Sequence, residues 1–262
     1  MKALITTVSI VFVLALGALG YWFFFHKDLS GRIVIPYIAH QKPRIDPHVP
    51  SSIPLADKLD EVLFDGLFNV SANASGVVYE DGLGELINLD ANNVVTIRFK
   101  PDKAMHSSYA VTMDKNKIES ITEKQIIKCT ADDIRFSLQR IQKLGSLSPD
   151  YILLAQAIAN FDFAGPNENN EITFQFRSDR QWAKDEVKEV LSFKIIPANS
   201  AMDAAEYTTG TGPYMLAGEY EDVMYFRKTL GGSAAIGDII LKPFIDNSTY
   251  ATELKTSQST RC

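Results

Sequence analysis

The stretch Thr208–Leu216, TTGTGPYML, sets the tightest limit on what this chain can fold into. Gly210 and Gly212 bracket Thr211, and Pro213 and Tyr214 follow directly. Glycine permits positive φ angles, while proline fixes φ near about −65° and removes a backbone donor. The backbone path is therefore sharp without being loose. Met215 and Leu216 continue it as an apolar step, so the bend is predicted to feed a strand. A Gly-Pro cluster alone marks a turn of any kind. What it means here depends on the residues upstream.

Cys129–Ile141 reads CTADDIRFSLQRI. Thr130 is a natural N-cap, and Asp133 completes a capping box with Asp in place of the preferred Glu. Asp132 and Asp133 also suit the positive end of a helix dipole, so capping accounts for the two adjacent acids without chemistry. Ile134, Leu138 and Ile141 fall on one face of a helix predicted over 130–144. Ser148-Pro149 opens the next helix, with Ser as cap and Pro at the first helical position. Leu55, Leu59, Val62 and Leu63 predict a helix over 52–64, closed by Gly66 in a left-handed cap, and a short helix is predicted over 185–191. Val95, Ile97 and Phe99 alternate with polar residues over 92–100, as Ile172, Phe174 and Phe176 do over 171–177. That is the pattern of half-buried strands. Further strands are predicted at 76–80, 193–196, 222–227 and 236–242.

The order TADDIRFSLQRI, LSPD, FKIIP, GTGPYML, with LFDGLF at Leu63–Phe68, resembles the extracellular solute-binding proteins of the peptide/nickel ABC-transporter family (family 5). The resemblance covers about residues 50–250 and is poorest over 101–128, where Met105-His106-Ser107 is the nearest trace of the family's loop. It implies an α/β fold of mixed sheets flanked by helices, the N-terminal part of a type II periplasmic-binding-protein fold. It also implies a two-lobed clamp that closes on a peptide, an oligosaccharide or a metal chelate and hands it to a membrane permease. By resemblance, Phe64 and Phe68 lie near the ligand cleft. Gly210, Thr211, Gly212 and Pro213 form a stiff hinge turn near the strands that cross between lobes, with Tyr214 beside it. Trp182 is a further candidate, as an aromatic ring that stacks on a ligand. Tyr214 is a ligand-binding candidate as well, and Phe64, Phe68 and Trp182 also read as plain core.

Three segments are expected. Residues 1–27 hold an apolar run, Ala3–Phe25, long enough to span a bilayer. It reads as a membrane anchor, or as a signal peptide with Ala18-Leu19-Gly20 as its cleavage site. Residues 28–54 carry Pro36, Pro43, Pro47, Pro50 and Pro54 and read as an extended tether or a chain laid along a surface, with His40 and His48 solvated. Residues 55–262 read as the solute-binding-protein-like domain, with the second lobe largely missing. The resemblance places this body on the extracytoplasmic side of the cell envelope, attached to the membrane through residues 3–25 or exported.

Composition bounds the alternatives. A net charge of −6 argues against nucleic acid, which wants a basic face. Cys129 reads as a small buried apolar residue, and a pairing with Cys262 is left open. There is no HExxH, GxSxG elbow, Walker A loop or paired CxxC. The four histidines, at 26, 40, 48 and 106, are scattered over loop-like or membrane-edge positions. No catalytic residue, metal ligand or cofactor is assigned. The expected function is the substrate-binding component of an ABC-type oligopeptide or dipeptide transporter. The alternative is an envelope structural or partner-binding module derived from such a protein, without ligand transport.

Overall fold

The computed structural model describes residues 32–38, 42–51, 53–74, 76–101, 103–106, 110–114, 117–122, 126–220, 222–229 and 236–252. The apolar run 3–25, His26, His40 and Cys262 lie outside them. Among the described residues no helix is long and apolar enough to cross a membrane. The chain runs β1 (Arg32–Ile38), α1 (Pro54–Leu63), β2 (Phe68–Asn73), β3 (Gly76–Asp81), β4 (Gly84–Leu89), β5 (Val94–Phe99) and β6 (Ala104–His106). It continues through β7 (Ala110–Asp114), β8 (Lys117–Thr122), β9 (Ile126–Lys128), α2 (Ala131–Leu144), α3 (Pro149–Ala157) and β10 (Glu171–Gln175). It ends with α4 (Lys184–Val190), β11 (Tyr214–Tyr220), β12 (Val223–Lys228) and β13 (Asp238–Phe244).

Two sheets carry two cores. The first is antiparallel, in the order β10-β5-β4, with Ile172 opposite Ile97 and Phe174 opposite Val95. The alternation seen in the sequence is the buried face: Val95, Ile97, Ile172 and Phe174 are fully buried. α2 presses Ile134, Leu138 and Ile141 into the same cluster. Full burial of each such side chain contributes about 1.5–3 kcal/mol. The Thr130–Asp133 box caps α2: the carboxylate accepts from the Thr130 amide at 2.6 Å and from its hydroxyl at 3.0 Å.

The second sheet is mixed, in the order β1-β13-β12-β11. β1 lies parallel to β13, with Ile35 opposite Leu241, and β12 is antiparallel to both β13 and β11. α1 covers it with Leu59, Leu63 and Phe64. The mixed sheets and flanking helices agree with the expected α/β architecture.

Several expectations change. Of the segment read as a tether, Arg32–Ile38 is an edge strand of the second sheet. An edge strand tolerates Pro36, because a proline there has no ladder donor to lose on its open side. Residues 42–50 lie across the body, with Ile45, Asp46 and His48 buried, so His48 is not solvated. His106 is likewise a buried strand residue. Gly66 does not cap α1, which ends at Phe64 in an extended conformation. A Cβ at Gly66 would lie 2.5 Å from the Ser192 carbonyl oxygen, so glycine is needed there for close approach. Residues 193–196 form no strand and make a single bridge, Gly66 to Lys194. Ser148 precedes α3 but makes no cap hydrogen bond. The stretch 101–128, where the family likeness is poorest, holds two short antiparallel pairs, β6 with β9 and β7 with β8.

Candidate functional site

The Gly210–Pro213 bend lies against the end of α1. The Gly212 amide donates to the Leu63 carbonyl at 2.9 Å, and the His106 amide donates to the Gly210 carbonyl at 2.8 Å. Neither glycine has positive φ. They are required for a different reason. A Cβ at Gly212 would stand 2.5 Å from the Leu63 carbonyl carbon, and one at Gly210 would overlap the Leu63 carbonyl oxygen and stand 2.6 Å from Phe64 Cδ1. After the bend, the Thr229 amide donates to the Pro213 carbonyl at 3.0 Å and the Thr229 hydroxyl bonds the same carbonyl at 3.2 Å. The bend is thus held by α1, β6 and the end of β12. The Thr211 hydroxyl is buried with no hydrogen-bond partner among the described residues.

The four aromatic candidates fall into two groups. Phe64 and Tyr214 belong to the second core, where the Tyr214 hydroxyl donates to the Ile236 carbonyl at 2.8 Å. Burial raises the Tyr214 phenol above its ordinary value. Phe68 and Trp182 belong to the first core. Trp182 Nε1 donates to the Arg177 carbonyl at 2.9 Å, its ring meets Phe176 edge-on, and the Arg180 guanidinium lies 3.7 Å from its centroid. All four rings are buried. Phe64 is joined to Phe68 through Asp65, Gly66 and Leu67. Buried Asp65 accepts from Asn69 Nδ2 at 2.9 Å and pairs with Lys103 Nζ. Burial pushes the nearby Cys129 thiol well up, with Asp133 adding to the shift.

A buried polar seam beside this junction has no counterpart among the expectations drawn from sequence. Asp133, Ser137 and Arg140 recur at helical spacing on α2, so they share a face. Asp133 Oδ1 accepts from the Ala198 amide at 2.7 Å, in addition to its capping role. Ser137 Oγ accepts from the Ile196 amide at 3.0 Å. Arg140 grips Asp46 with two hydrogen bonds, 2.9 and 2.8 Å, donates to the Met202 carbonyl at 3.1 Å and lies 4.5 Å from the Tyr207 centroid. His48 Nε2 lies 2.7 Å from the Lys194 carbonyl oxygen. Burial, with Arg140 nearby, lowers the His48 imidazole to about 4. Lys194 Nζ pairs with Glu61 at 2.8 Å, and half-buried Asp150 beside them is raised by burial to about 6. A faint signal existed: Lys42, Arg44, Asp46 and His48 stand at every second position, which is how an extended segment aims its side chains one way.

Chemically, this arrangement is a packed junction between the two cores. It offers buried apolar rings, close approaches of backbone to backbone at glycines, and ion pairs whose partners are already committed. Among the described residues, no group of three or more His, Cys, Asp or Glu could hold a metal ion.

No protein-family model matches the chain, and no curated protein matches it by sequence. Solved structures do. The PBP/SBP MoaA of A. tumefaciens R10, in complex with mannopinic acid, matches with a TM-score of 0.63 at 15% identity, over 87% of this chain and 44% of that one. The ABC transporter-associated periplasmic binding protein DppA of Helicobacter pylori, in complex with the peptide STSA, matches with a TM-score of 0.61 at 15% identity, over 87% and 45%. NikZ of Campylobacter jejuni, in complex with Ni(L-His), matches with a TM-score of 0.59 at 16% identity, over 87% and 42%. At these identities the likeness establishes the fold, that of periplasmic solute-binding proteins. The chain spans less than half the length of these structures.

Proposed function

We propose that this chain is a solute-binding component of an ABC-type peptide transporter, a member of the peptide/nickel solute-binding family. The likeness of fold across 87% of the chain carries this reading. The structures of like fold hold a peptide, mannopinic acid or Ni(L-His), so the ligand is a peptide or another small solute. The body lies on the extracytoplasmic face of the envelope, anchored through residues 3–25 or exported, and hands its ligand to a membrane permease. It begins at residue 32 rather than 55, since β1 belongs to the second sheet. Phe64, Phe68, Trp182 and Tyr214, all buried, back the proposed ligand surface from behind. Gly210–Pro213 is the stiff joint that sets the axis of lobe closure, a known device for capture. No catalytic role is assigned to any residue.

One observation favours the second reading, an envelope module that binds a protein partner and carries no solute. All four aromatic candidates are buried, so none presents a free ring to a ligand. Calorimetric titration of the full chain, in mild detergent, separates the two. Binding heat with di- to nonapeptides or with Ni(L-His) supports solute capture. Absence of heat with every peptide and chelate leaves the partner-binding module as the function.

A further inference from the structure

We propose that residues 42–50 form an acid-sensitive latch: protonation of His48 frees this segment from α2 and from residues 201–207 while the β10-β5-β4 core stays folded. The segment makes no strand pair or helix of its own. Apart from Ile45, which is buried in the second core, it is held by discrete polar contacts. Lys42 reaches Glu206 at 3.1 Å and Glu219 at 2.6 Å. The Ile45 carbonyl accepts from the Tyr207 amide at 3.0 Å, Asp46 is gripped by Arg140, and His48 closes on the Lys194 carbonyl.

The geometry around His48 admits only the neutral ring. A carbonyl can only accept, so Nε2 carries the proton and Nδ1 is left bare. Nδ1 is buried and has no partner among the described residues. A second proton would therefore sit with no acceptor, which is costly in a buried site. The charges around the ring do not offset that cost. Arg140 of α2 opposes a second cation. Asp46, from the segment itself, favours one, but its oxygens are already taken by Arg140, Arg44 and the His48 amide. Lys194 offers its carbonyl, while its ammonium pairs with Glu61 of α1 and faces Asp150 of α3. An imidazolium at 48 is accommodated by leaving, and the cost of burying it is set against the remaining anchors of the segment, the Arg140–Asp46 pair and buried Ile45.

The direction follows from linkage. The buried ring titrates at about 4 and the released ring near its ordinary value of 6.5, so release is favoured as pH falls below 6.5. Between pH 7 and pH 5 the open fraction should rise about twenty-fold. The test is amide hydrogen exchange on the full chain in mild detergent at both values, corrected for intrinsic exchange. Opening of 42–50 should rise about twenty-fold in the native chain and less than about threefold in His48→Gln, with β5 and β10 unchanged. No rise in the native chain, an equal rise in the variant, or loosening of β5 and β10 in step with the segment overturns the latch. Should the variant not fold, the imidazole signals of the native chain decide: His48 must titrate together with segment opening, and titration with the segment still closed refutes it.

Discussion

The β10-β5-β4 sheet and the β1-β13-β12-β11 sheet bury similar side chains by different routes. In the first, polar and apolar residues alternate along antiparallel β5 and β10, and these two strands announce their buried faces, whereas β4 does not. In the second, β1 and β13 pair in parallel although they come from opposite ends of the described chain. Their sequences, RIVIPYI and DIILKPF, are nearly continuous apolar runs without alternation. Parallel strands need a long crossover, and here almost the whole protein is that crossover. Local pattern suffices for an antiparallel layer, whereas a mixed layer depends on contacts that no window of sequence contains. What joins the two is the seam of Arg140, Asp46 and His48 together with the Gly210–Gly212 bend.

The largest expected effect comes from breaking the seam. Arg140→Met removes the main partner of buried Asp46 and should cost about 3–5 kcal/mol in urea denaturation. Adding Asp46→Leu should recover most of that loss, because no buried charge then remains unpaired. A cost below about 1 kcal/mol would mean that the cores do not depend on this pair.

Next comes the bend. Gly212→Ala forces a Cβ into the Leu63 carbonyl, for which the overpacking range suggests a cost of about 3 kcal/mol. Thermal melts followed separately by near-ultraviolet and far-ultraviolet dichroism would show whether both cores loosen together, as a shared joint requires. An unchanged midpoint would show that the bend is not wedged against α1.

A smaller effect sharpens the comparison through pH. His48 has a lowered folded value, about 4 against 6.5, so its contribution is complete above pH 6.5 and is lost as pH falls toward 4. By pH 5 that loss is about 2 kcal/mol. Asp150 has the opposite sign. Its folded value is raised to about 6 from 3.8, so acidification relieves a cost. From pH 7 to pH 5 that relief is about 1 kcal/mol. The native chain should therefore lose less stability than Asp150→Asn over this interval, while His48→Gln should gain. Equal slopes in all three would place neither group in the seam.

Much of the first core was legible from sequence. Val95, Ile97, Ile172 and Phe174 alternate, the Thr130–Asp133 box marks a helix start, and Pro149 marks another. β1 was not legible, because Pro36 and the prolines after it read as a tether and its partner lies far along the chain. At the candidate site, the importance of Gly210 and Gly212 was visible but its cause was not. Composition suggests positive φ, and only the packed structure reveals the Leu63 carbonyl where a side chain would go. Arg140, Asp46 and His48 escaped notice because buried polar pairing is spatial, and a charged residue on a helix ordinarily reads as solvated. Whether the aromatic candidates touch a ligand was beyond sequence for the same reason.

The proposed capture of a small solute at the junction of the two cores is open to direct measurement. Amide exchange of the full chain, with and without a saturating peptide pool that includes STSA and nonapeptides, addresses it most directly. The account predicts slower exchange confined to residues 63–68, 106 and 210–214. Exchange that is unchanged there, or slowed only on surfaces remote from the bend, would contradict it.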